Sequence, residues 1–312
     1  MHRPPKKEAF LFMIDFEIHS PIQQLSLELY AEKKVEVYVK RDDLIHPYIS
    51  GNKWRKLKYI LEKADSEHRK HLITFGGAYS NHLLATACAG AKFGFRTTGI
   101  VRGENVENPT LTLCHLFGME LIFIDRETYR NKRLYFDIHY SNDNDAFFID
   151  EGGACAEAVT GCAEIIDELP SYYDHIFCAA GTGTTSAGIL NGIHKNKLST
   201  RLHTIPILKN GGFIADEILN YCESRNNLQM HLNYHFGGYA KTTSELIQFI
   251  KIFSAGTGIL LDPVYTGKMF FAINHLVSND YFERGSSILA IHTGGLLGIL
   301  GMPEKFNSEA RS

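Results

Sequence analysis

Strand-like and helix-like segments alternate along most of this chain. The segment Val35–Lys40 alternates apolar and polar residues with period two, which is typical of a half-buried strand, and a helical pattern follows over residues 53–67. The alternation predicts further strands at His71–Phe75, Arg96–Val101, Glu120–Ile124, Phe147–Asp150, His175–Ala180, Leu202–Leu208 and Ser287–His292. Helices are predicted between them, among others at Asn81–Phe93, Ala187–His194, Met269–Val277 and, after an N-cap at Ser244, Glu245–Phe253. Strands separated by helices make right-handed crossovers, so we predict an α/β fold with mostly parallel sheets.

Length, charge and cysteine usage restrict the class of protein. The 312 residues suffice for two domains or one large one, and the formal net charge of −3 argues against nucleic acid or an acidic membrane surface as the main partner. No apolar run is long enough to span a bilayer, and the run Ala9–Ile14 is too short for a signal peptide. The six cysteines are scattered without a C-x-x-C pair, which predicts reduced thiols and a cytoplasmic location.

One lysine, Lys53, stands between a glycine turn and the helical pattern that follows it. Four more cations lie close behind it, at Arg55, Lys56, Lys58 and Lys63. Neighbouring cations and partial burial both disfavour the ammonium form, so an amine here can have a lowered pKa and attack an aldehyde cofactor. The alternative is an ordinary solvated lysine on a basic helix.

The loop Gly181–Gly188, with the sequence Gly-Thr-Gly-Thr-Thr-Ser-Ala-Gly, follows a strand and opens a helix. Its backbone N–H groups and hydroxyls suit a phosphate monoester. No lysine follows the glycines as in a Walker loop, and Ser186 stands where a dinucleotide-binding loop has its third glycine. A phosphate without a nucleotide is therefore the preferred ligand, and a plain strand-to-helix turn is the alternative.

A second loop between strand and helix, Gly76–His82, ends in Ser80, Asn81 and His82. At a helix N-terminus these side chains are placed to bind a carboxylate. Two alternatives concern Ser80 itself. It could be a hydrolase nucleophile, although the G-x-S-x-G pattern is absent, or merely the helix N-cap.

Two tyrosines, Tyr239 and Tyr265, lie in polar segments marked by glycine. A phenol that faces a site can serve as an acid or base, and packing is the alternative role for both tyrosines. The spacing His231-x-x-x-His235 would place two imidazoles on one helix face. Because no third ligand is indicated, we predict no metal site.

Six motifs follow one another in a fixed order. They are Lys-Arg-Asp-Asp-Leu (40–44), Gly-Asn-Lys-Trp-Arg-Lys-Leu (51–57), Gly-Gly-Ala-Tyr-Ser-Asn-His (76–82), Gly-Thr-Gly-Thr-Thr-Ser-Ala-Gly (181–188), Asp-Pro-Val-Tyr-Thr-Gly-Lys (262–268) and His-Thr-Gly-Gly (292–295). As an ordered set they resemble the D-cysteine desulfhydrase/1-aminocyclopropane-1-carboxylate deaminase family. Its members are pyridoxal-phosphate enzymes of fold type II, the fold of the tryptophan synthase β subunit.

The resemblance implies a role for each motif. Lys53 would carry pyridoxal phosphate and move the Cα proton of the substrate, and Lys56 would help to hold the phosphate. Asn81 would hydrogen-bond the ring oxygen, while Ser80, together with Asn81 and His82, would take the substrate carboxylate. The rest of the implied site consists of the phosphate loop Gly181, Thr182, Gly183, Thr184 and Thr185, the pyridine-nitrogen partner Thr293, and Tyr239 and Tyr265 beside the substrate.

The resemblance also implies an architecture of two domains. A large cofactor-binding domain would comprise residues 1–52 and 166–312, and a small domain residues 53–165. The active unit would be a homodimer that acts on a small amino acid.

Two positions favour one of the family's two reactions. The ring-opening deaminases carry glutamate after the tyrosine of the Val-Tyr motif and leucine in place of the later threonine, whereas this chain has Thr266 and Thr293. A neutral hydroxyl at the pyridine nitrogen supports a weaker electron sink, adequate for a good leaving group such as thiolate. We therefore expect α,β-elimination of a small D-amino acid, D-cysteine giving pyruvate, hydrogen sulfide and ammonia. The alternatives are 1-aminocyclopropane-1-carboxylate deamination and, from another class, a non-catalytic protein that binds pyridoxal phosphate or an amino acid.

Overall fold

Two parallel sheets organise the part of the chain that the structure, a computed structural model, describes: Ile14 and residues 17–307. The predicted apolar run at 9–14 lies outside this part except for its last residue. The strands are β1 (Ile22–Leu25), β2 (Glu36–Lys40), β3 (His71–Gly77), β4 (Arg96–Arg102), β5 (Glu120–Ile124), β6 (Ala146–Ile149), β7 (His175–Ala180), β8 (Arg201–Pro206), β9 (Leu228–Met230) and β10 (Ser287–Ile291).

The larger sheet has six strands in the order β1-β2-β10-β7-β8-β9, and the smaller has four in the order β5-β4-β3-β6. Neighbouring strands are parallel throughout, except that β1 pairs antiparallel with β2. The predicted α/β fold with mostly parallel sheets is thereby confirmed.

Helices connect the strands and cover the sheets. They are α1 (Glu28–Lys33), α2 (Asn52–Ser66), α3 (Asn81–Phe93), α4 (Pro109–Leu116), α5 (Lys132–Tyr140), α6 (Ala156–Asp167), α7 (Thr184–Lys195), α8 (Ile214–Leu219), α9 (Ser244–Thr257), α10 (Thr266–Ser278) and α11 (Pro303–Asn307). Within residues 17–307, no helix is long and apolar enough to cross a membrane.

Helices α7 and α9 are among those that begin earlier than predicted, for reasons of local hydrogen bonding and backbone geometry. The N-cap of α9 is Thr243, whose hydroxyl accepts the N–H of Leu246, whereas the predicted cap Ser244 is the first helical residue. Helix α7 begins at Thr184 and not at Ala187, because Gly183 turns the chain left-handed (φ 82°) just before it.

The larger sheet is buried on both faces. Along β7, Phe177 and Ala179 join one apolar cluster with α9 and α10, whereas Ile176, Cys178 and Ala180 join a second cluster with α6, α7 and α8. Alternate residues of a strand point to opposite faces, so this division shows helices packed on both sides of the sheet.

Helices α2, α6 and α7 stack tightly because glycines let their backbones approach. A Cβ on Gly161 of α6 would lie 1.9 Å from the carbonyl oxygen of Arg55 in α2, and one on Gly188 of α7 would lie 2.4 Å from Cβ of Cys162. The stack joins the two sheets, since α2 precedes the smaller sheet and α7 follows β7. The four strands of the smaller sheet fall within residues 53–165, while the residues at which the domains divide stay a prediction.

A buried ion network fixes this stack to the larger sheet. The guanidinium of Arg55 donates to both carboxylate oxygens of Asp42 (2.6 and 2.8 Å) and to both of Glu168 (2.7 and 2.8 Å), and Lys40 at the end of β2 lies 2.8 Å from Glu168. Burial raises the pKa of Glu168, but the hydrogen bonds and charges of Arg55 and Lys40 outweigh this effect and lower it to about 2.

We expect Arg55→Met to lower the free energy of unfolding by about 3–5 kcal/mol, because it leaves the buried carboxylate of Asp42 without its cation. Urea-induced unfolding measures the change. The matched control is Lys195→Met, which removes an exposed ion pair with Asp167 (2.9 Å) and should change stability by no more than about 0.5 kcal/mol. Equal stability of the two variants would contradict the role given to the network.

Candidate active site

Three loops meet the first turn of α2 at the carboxyl ends of β3, β7 and β10. The N–H of Asn52 donates to the carbonyl of Thr293 (3.3 Å) after β10, and its side-chain amide donates to Oγ1 of Thr185 (2.9 Å) after β7. A Cβ on Gly295 would lie 2.7 Å from Nδ2 of Asn81, which follows β3. The structure thus gathers residues of four motifs where open α/β sheets bind ligands.

The turn before Lys53 admits only glycine at one position. Ser50 and Gly51 both have positive φ (33° and 51°), and a Cβ on Gly51 would lie 1.9 Å from the carbonyl oxygen of Thr293. This close approach seats the first turn of α2 against the loop after β10 and so sets the position of Lys53.

Two amines at the start of α2 have no carboxylate partner among the described residues. Lys53 is half-buried and Lys56 is 2% exposed, and Nζ of Lys56 donates to the carbonyl of Gly152 (3.0 Å). The ion pairs of α2 are made instead by Arg55, Lys58 and Lys63.

Burial and then the charge of Lys56 lower the pKa of Lys53 to about 7. Burial also lowers the pKa of Lys56. We therefore expect Lys53 to be available as a neutral amine near neutral pH, whereas an ordinary solvated lysine would be charged.

The predicted phosphate loop 181–185 forms the start of α7. No side chain caps this 12-residue helix, whose first turn therefore presents its N–H groups to a ligand. The hydroxyls of Thr182 and Thr184 lie 3.0 Å apart at the same helix end. N–H groups, hydroxyls and a positive helix end together suit a phosphate.

One part of the site, the turn Gly152–Gly153 after β6, receives no role from the sequence patterns. Both glycines have left-handed backbone (φ 70° and 69°); a Cβ on Gly152 would lie 3.3 Å from Cγ2 of Thr182, and one on Gly153 would lie 3.2 Å from Cε1 of His82. The turn therefore lies between the phosphate loop and His82, and its carbonyl binds Lys56. The sequence signal that could have indicated this turn is a Gly-Gly pair at the end of a strand, which also occurs at 76–77 and 294–295.

Ser80 is the N-cap of α3, which is one of the alternative roles predicted for it from the sequence. Its Oγ accepts the N–H groups of His82 (3.2 Å) and Leu83 (3.3 Å). The hydroxyl proton is not used in these bonds, so Ser80 can still donate to a ligand. Asn81 is half-buried beside it, at the positive end of a 13-residue helix.

His82 is buried and electrostatically close to the two amines. Its Nε2 lies 2.9 Å from Oγ1 of Thr74, whose proton goes to the carbonyl of Ile149 (3.2 Å), so Nε2 carries the imidazole proton. Its Nδ1 has no hydrogen-bond partner within the described part of the chain. Burial, and then the charges of Lys53 and Lys56, hold the pKa of His82 well below its usual range. The neutral ring therefore adds no positive charge to the carboxylate site predicted for Ser80, Asn81 and His82.

Tyr239 and Tyr265 come together at the edge of the phosphate loop. Their ring centroids lie 6.4 Å apart at 78°, and a Cβ on Gly181 would lie 3.3 Å from the hydroxyl of Tyr265. Burial raises the pKa of Tyr239 and raises that of Tyr265 well above its usual range. Both phenols therefore keep their protons near neutral pH.

Asp262 organises the segment that carries Tyr265, a function that the sequence patterns miss. Its carboxylate accepts the N–H groups of Val264 (2.9 Å), Tyr265 (2.8 Å) and Thr266 (2.8 Å) and the hydroxyl of Thr266 (2.7 Å). Both the carboxylate and Thr266 are buried. The possible signal is an Asp four residues before a Thr at a helix start.

His231 and His235 do not lie on a common helix face, since the chain between them forms turns. Nε2 of His231 instead lies 2.8 Å from Nδ1 of His203, which in turn is hydrogen-bonded to His175 (2.9 Å). The helical spacing inferred for the two imidazoles is therefore wrong.

The donor set of the site fits pyridoxal phosphate. Two amines without a carboxylate partner and the open end of α7 form a site that lacks an anion and has a free nucleophile. A phosphate joined to an aldehyde supplies what these groups lack. Glycine at positions 51 and 152 keeps these loops close to the site, because a Cβ would lie 1.9 Å from the carbonyl oxygen of Thr293 at position 51 and 3.3 Å from Cγ2 of Thr182 at position 152.

Comparison with known proteins also indicates an enzyme that uses pyridoxal phosphate. Residues 16–294 match the family described as pyridoxal-phosphate dependent enzyme. A putative 1-aminocyclopropane-1-carboxylate deaminase of Thermotoga maritima is 30% identical over 311 residues, covering 92% of this chain and 96% of that protein. A bifunctional D-cysteine desulfhydrase/1-aminocyclopropane-1-carboxylate deaminase, mitochondrial, of Arabidopsis thaliana is 31% identical over 294 residues, covering 85% and 73%.

A crystallised homologue of 1-aminocyclopropane-1-carboxylate deaminase is also similar, with a TM-score of 0.80, 31% identity and coverage of 95% of this chain and 94% of that one. The resemblance drawn from the motifs is confirmed, and with it fold type II, pyridoxal phosphate as cofactor and membership of an enzyme family. This chain belongs to the pyridoxal-phosphate dependent enzymes, in the group of 1-aminocyclopropane-1-carboxylate deaminases and D-cysteine desulfhydrases.

Proposed function

We propose that this enzyme catalyses α,β-elimination of D-cysteine to pyruvate, hydrogen sulfide and ammonia. The observation that carries the proposal is the environment of Thr266. Its hydroxyl donates to the buried carboxylate of Asp262 (2.7 Å), and the residue itself is fully buried. Where the ring-opening deaminases have a glutamate, this chain has a neutral side chain whose hydrogen bond is already made.

Thr293 is the second neutral position. Its carbonyl binds Asn52, which holds this residue beside the start of α2, and the residue is 8% exposed. A hydroxyl at the pyridine nitrogen supports a weaker electron sink than a carboxylate does. Loss of a thiolate needs less electron withdrawal than opening a cyclopropane, so the two threonines favour elimination.

The residues that we infer to hold the cofactor are Lys53, Lys56, Asn81, Thr293 and the loop 181–185. Pyridoxal phosphate, when bound, supplies an electron sink for the negative charge that develops at the substrate Cα. The open start of α7 and the amine of Lys56 offer positive charge and N–H donors to the phosphate.

The chain's own groups orient the substrate and move its protons. The hydroxyl of Ser80 and the amide of Asn81 bind the carboxylate at the positive end of α3, and Lys53, as a neutral amine, takes the Cα proton. Tyr265, which keeps its proton, is placed with Tyr239 to protonate the departing sulfur. The C–S bond breaks, sulfur leaves as hydrogen sulfide, and addition of water releases ammonia and pyruvate.

Ring-opening deamination of 1-aminocyclopropane-1-carboxylate is the second candidate. The observation in its favour is the similarity to the Thermotoga maritima protein, a putative 1-aminocyclopropane-1-carboxylate deaminase, and to the Arabidopsis thaliana protein, which is described as bifunctional for both activities. Both reactions begin by binding the substrate carboxylate at the start of α3. They differ in the leaving group. The neutral surroundings of Thr266 and Thr293 favour the group that departs more easily, the thiolate.

We also propose a homodimer and a cytoplasmic location. The first rests on the family resemblance, and the second on the six cysteines, all of which carry free thiols in the structure.

The function is tested by incubating the purified holoenzyme separately with D-cysteine, L-cysteine and 1-aminocyclopropane-1-carboxylate. We expect equal amounts of sulfide, pyruvate and ammonia from D-cysteine, little reaction with L-cysteine, and a much slower release of ammonia from the cyclopropane. Lys53→Ala is the control and should lose all three products. Faster ammonia release from the cyclopropane than from D-cysteine would contradict the proposal and establish the second candidate.

The lowered pKa of Lys53 predicts an unusual pH dependence of its reactivity. In the cofactor-free protein, we expect its rate of acylation by an amine reagent to rise between about pH 6 and pH 8 and then level off, because the amine is already neutral above its pKa of about 7. Mass spectrometry of the peptide follows the rate. Lys63, whose pKa is raised by Glu157, is the internal control and should still gain reactivity above about pH 9.

Lys56→Met removes the neighbouring charge and should move the midpoint for Lys53 to higher pH. A rate for Lys53 that runs parallel to that of Lys63 over the whole pH range would show an ordinary solvated lysine instead.

A further inference from the structure

Lys268 is a buried cation to which neither the motifs nor the proposed reaction gives a role. It lies in the first turn of α10, three residues after Tyr265, and is 0% exposed. Its Nζ donates to the carbonyl of His235 (2.9 Å) and to the carbonyl of Gly238 (2.8 Å). Both acceptors belong to the segment that carries Tyr239.

The segment held by Lys268 has a strained backbone. Phe236 and Ala240 have positive φ (51° and 54°), as do Gly237 and Gly238 (94° and 120°). Residues with a Cβ adopt this conformation at a cost, and it persists only where the surroundings enforce it. Within the segment, Gly238 donates to the carbonyl of His235, Lys241 donates to the carbonyl of Gly238, and Gly237 donates to Nδ1 of His235. The two carbonyls in these bonds are the same two that bind the ammonium.

The clamp links the two tyrosines. Tyr265 precedes α10 and Tyr239 follows Gly238 directly, so the ammonium joins the helix start that bears one ring to the loop that bears the other. Tyr239 is 46% exposed, and its ring contacts that of Tyr265 edge to face at a centroid distance of 6.4 Å. The carboxylate of Asp262 accepts four hydrogen bonds from its own segment and acts on the ammonium through its charge, while the hydrogen bonds of the ammonium go to the two carbonyls.

We propose that Lys268 is a positioning residue that clamps the strained loop 236–240 onto α10 and thereby holds Tyr239 against Tyr265 on the substrate side of the site. The part of this inference that concerns the substrate rests on the proposed function. The clamp itself rests only on the two hydrogen bonds and on the loop geometry. Burial lowers the pKa of Lys268 to about 8, although the charge of Asp262 acts in the opposite direction.

Amide hydrogen exchange of the wild-type holoenzyme tests the clamp without a variant or a substrate. The N–H groups of Gly238 and Lys241 bond within the loop, and the N–H of Lys197, which donates to the carbonyl of His194 in an exposed turn with φ 52°, is the matched reference. We expect the two loop amides to exchange at least about 100-fold more slowly than that of Lys197. Equally fast exchange in loop and reference would overturn the clamp.

Lys268→Met removes the donors while keeping the length of the side chain, and Lys195→Met is the surface control. We expect exchange at Gly238 and Lys241 to accelerate about tenfold or more in Lys268→Met alone, at unchanged cofactor content. Unchanged exchange in the folded variant would overturn the proposal even if activity fell. Because no substrate is present, this result does not depend on whether D-cysteine is the substrate.

A double-mutant cycle with Tyr239→Phe tests the link to the reaction. If Lys268 acts through Tyr239, each single change should lower kcat/KM for D-cysteine about tenfold, mainly through KM, and the double variant should be no worse than about twofold below the weaker single. Losses that multiply would overturn the positioning role, because a purely structural lysine would act independently of Tyr239. Absence of D-cysteine turnover in the wild type would reject the proposed function, while the exchange experiments would still decide the clamp.

Discussion

The site depends on two amines, Lys53 and Lys56, that are placed on one helix without a counterion from the described chain. Arg55 of the same helix pairs with two carboxylates, those of Asp42 and Glu168. The lack of acidic residues around the two lysines is therefore local and does not reflect a general shortage of acidic residues. Cations that are desolvated in this way lose their protons or bind an anion. Both outcomes serve the cofactor, because one amine is left nucleophilic and the other remains for the phosphate.

The fold supplies this arrangement by bringing the ends of parallel strands from both sheets to one place. The smaller sheet contributes α3 with Ser80 and Asn81, and the larger sheet contributes the loops after β7 and β10. Helix α2 stands between them, fixed by the Arg55 network at its side and by the contact of Gly51 with Thr293 at its start. Under the proposed function, residues from both sheets therefore surround the cofactor and the substrate.

Much of this could be predicted from the sequence because it is local. Short stretches of sequence determine the strand periodicity, the phosphate loop and the cation-rich start of α2. Strands β1 and β9 could not be predicted, since they have four and three residues and show no alternation of buried and exposed positions. The turn Gly152–Gly153, the buried imidazole of His82 and the clamp of Lys268 depend on contacts between distant segments, and His231 and His235 mislead because their helical spacing lies in a turn.

The most direct test of the account is to identify the amine that holds the cofactor. The holoenzyme is reduced with borohydride, digested and analysed by mass spectrometry. The account predicts a pyridoxyl phosphate adduct on the peptide that contains Lys53, with Lys58 of the same helix unmodified. An adduct on another lysine, or a protein that takes up no pyridoxal phosphate when supplied with it in excess, would contradict the central claim.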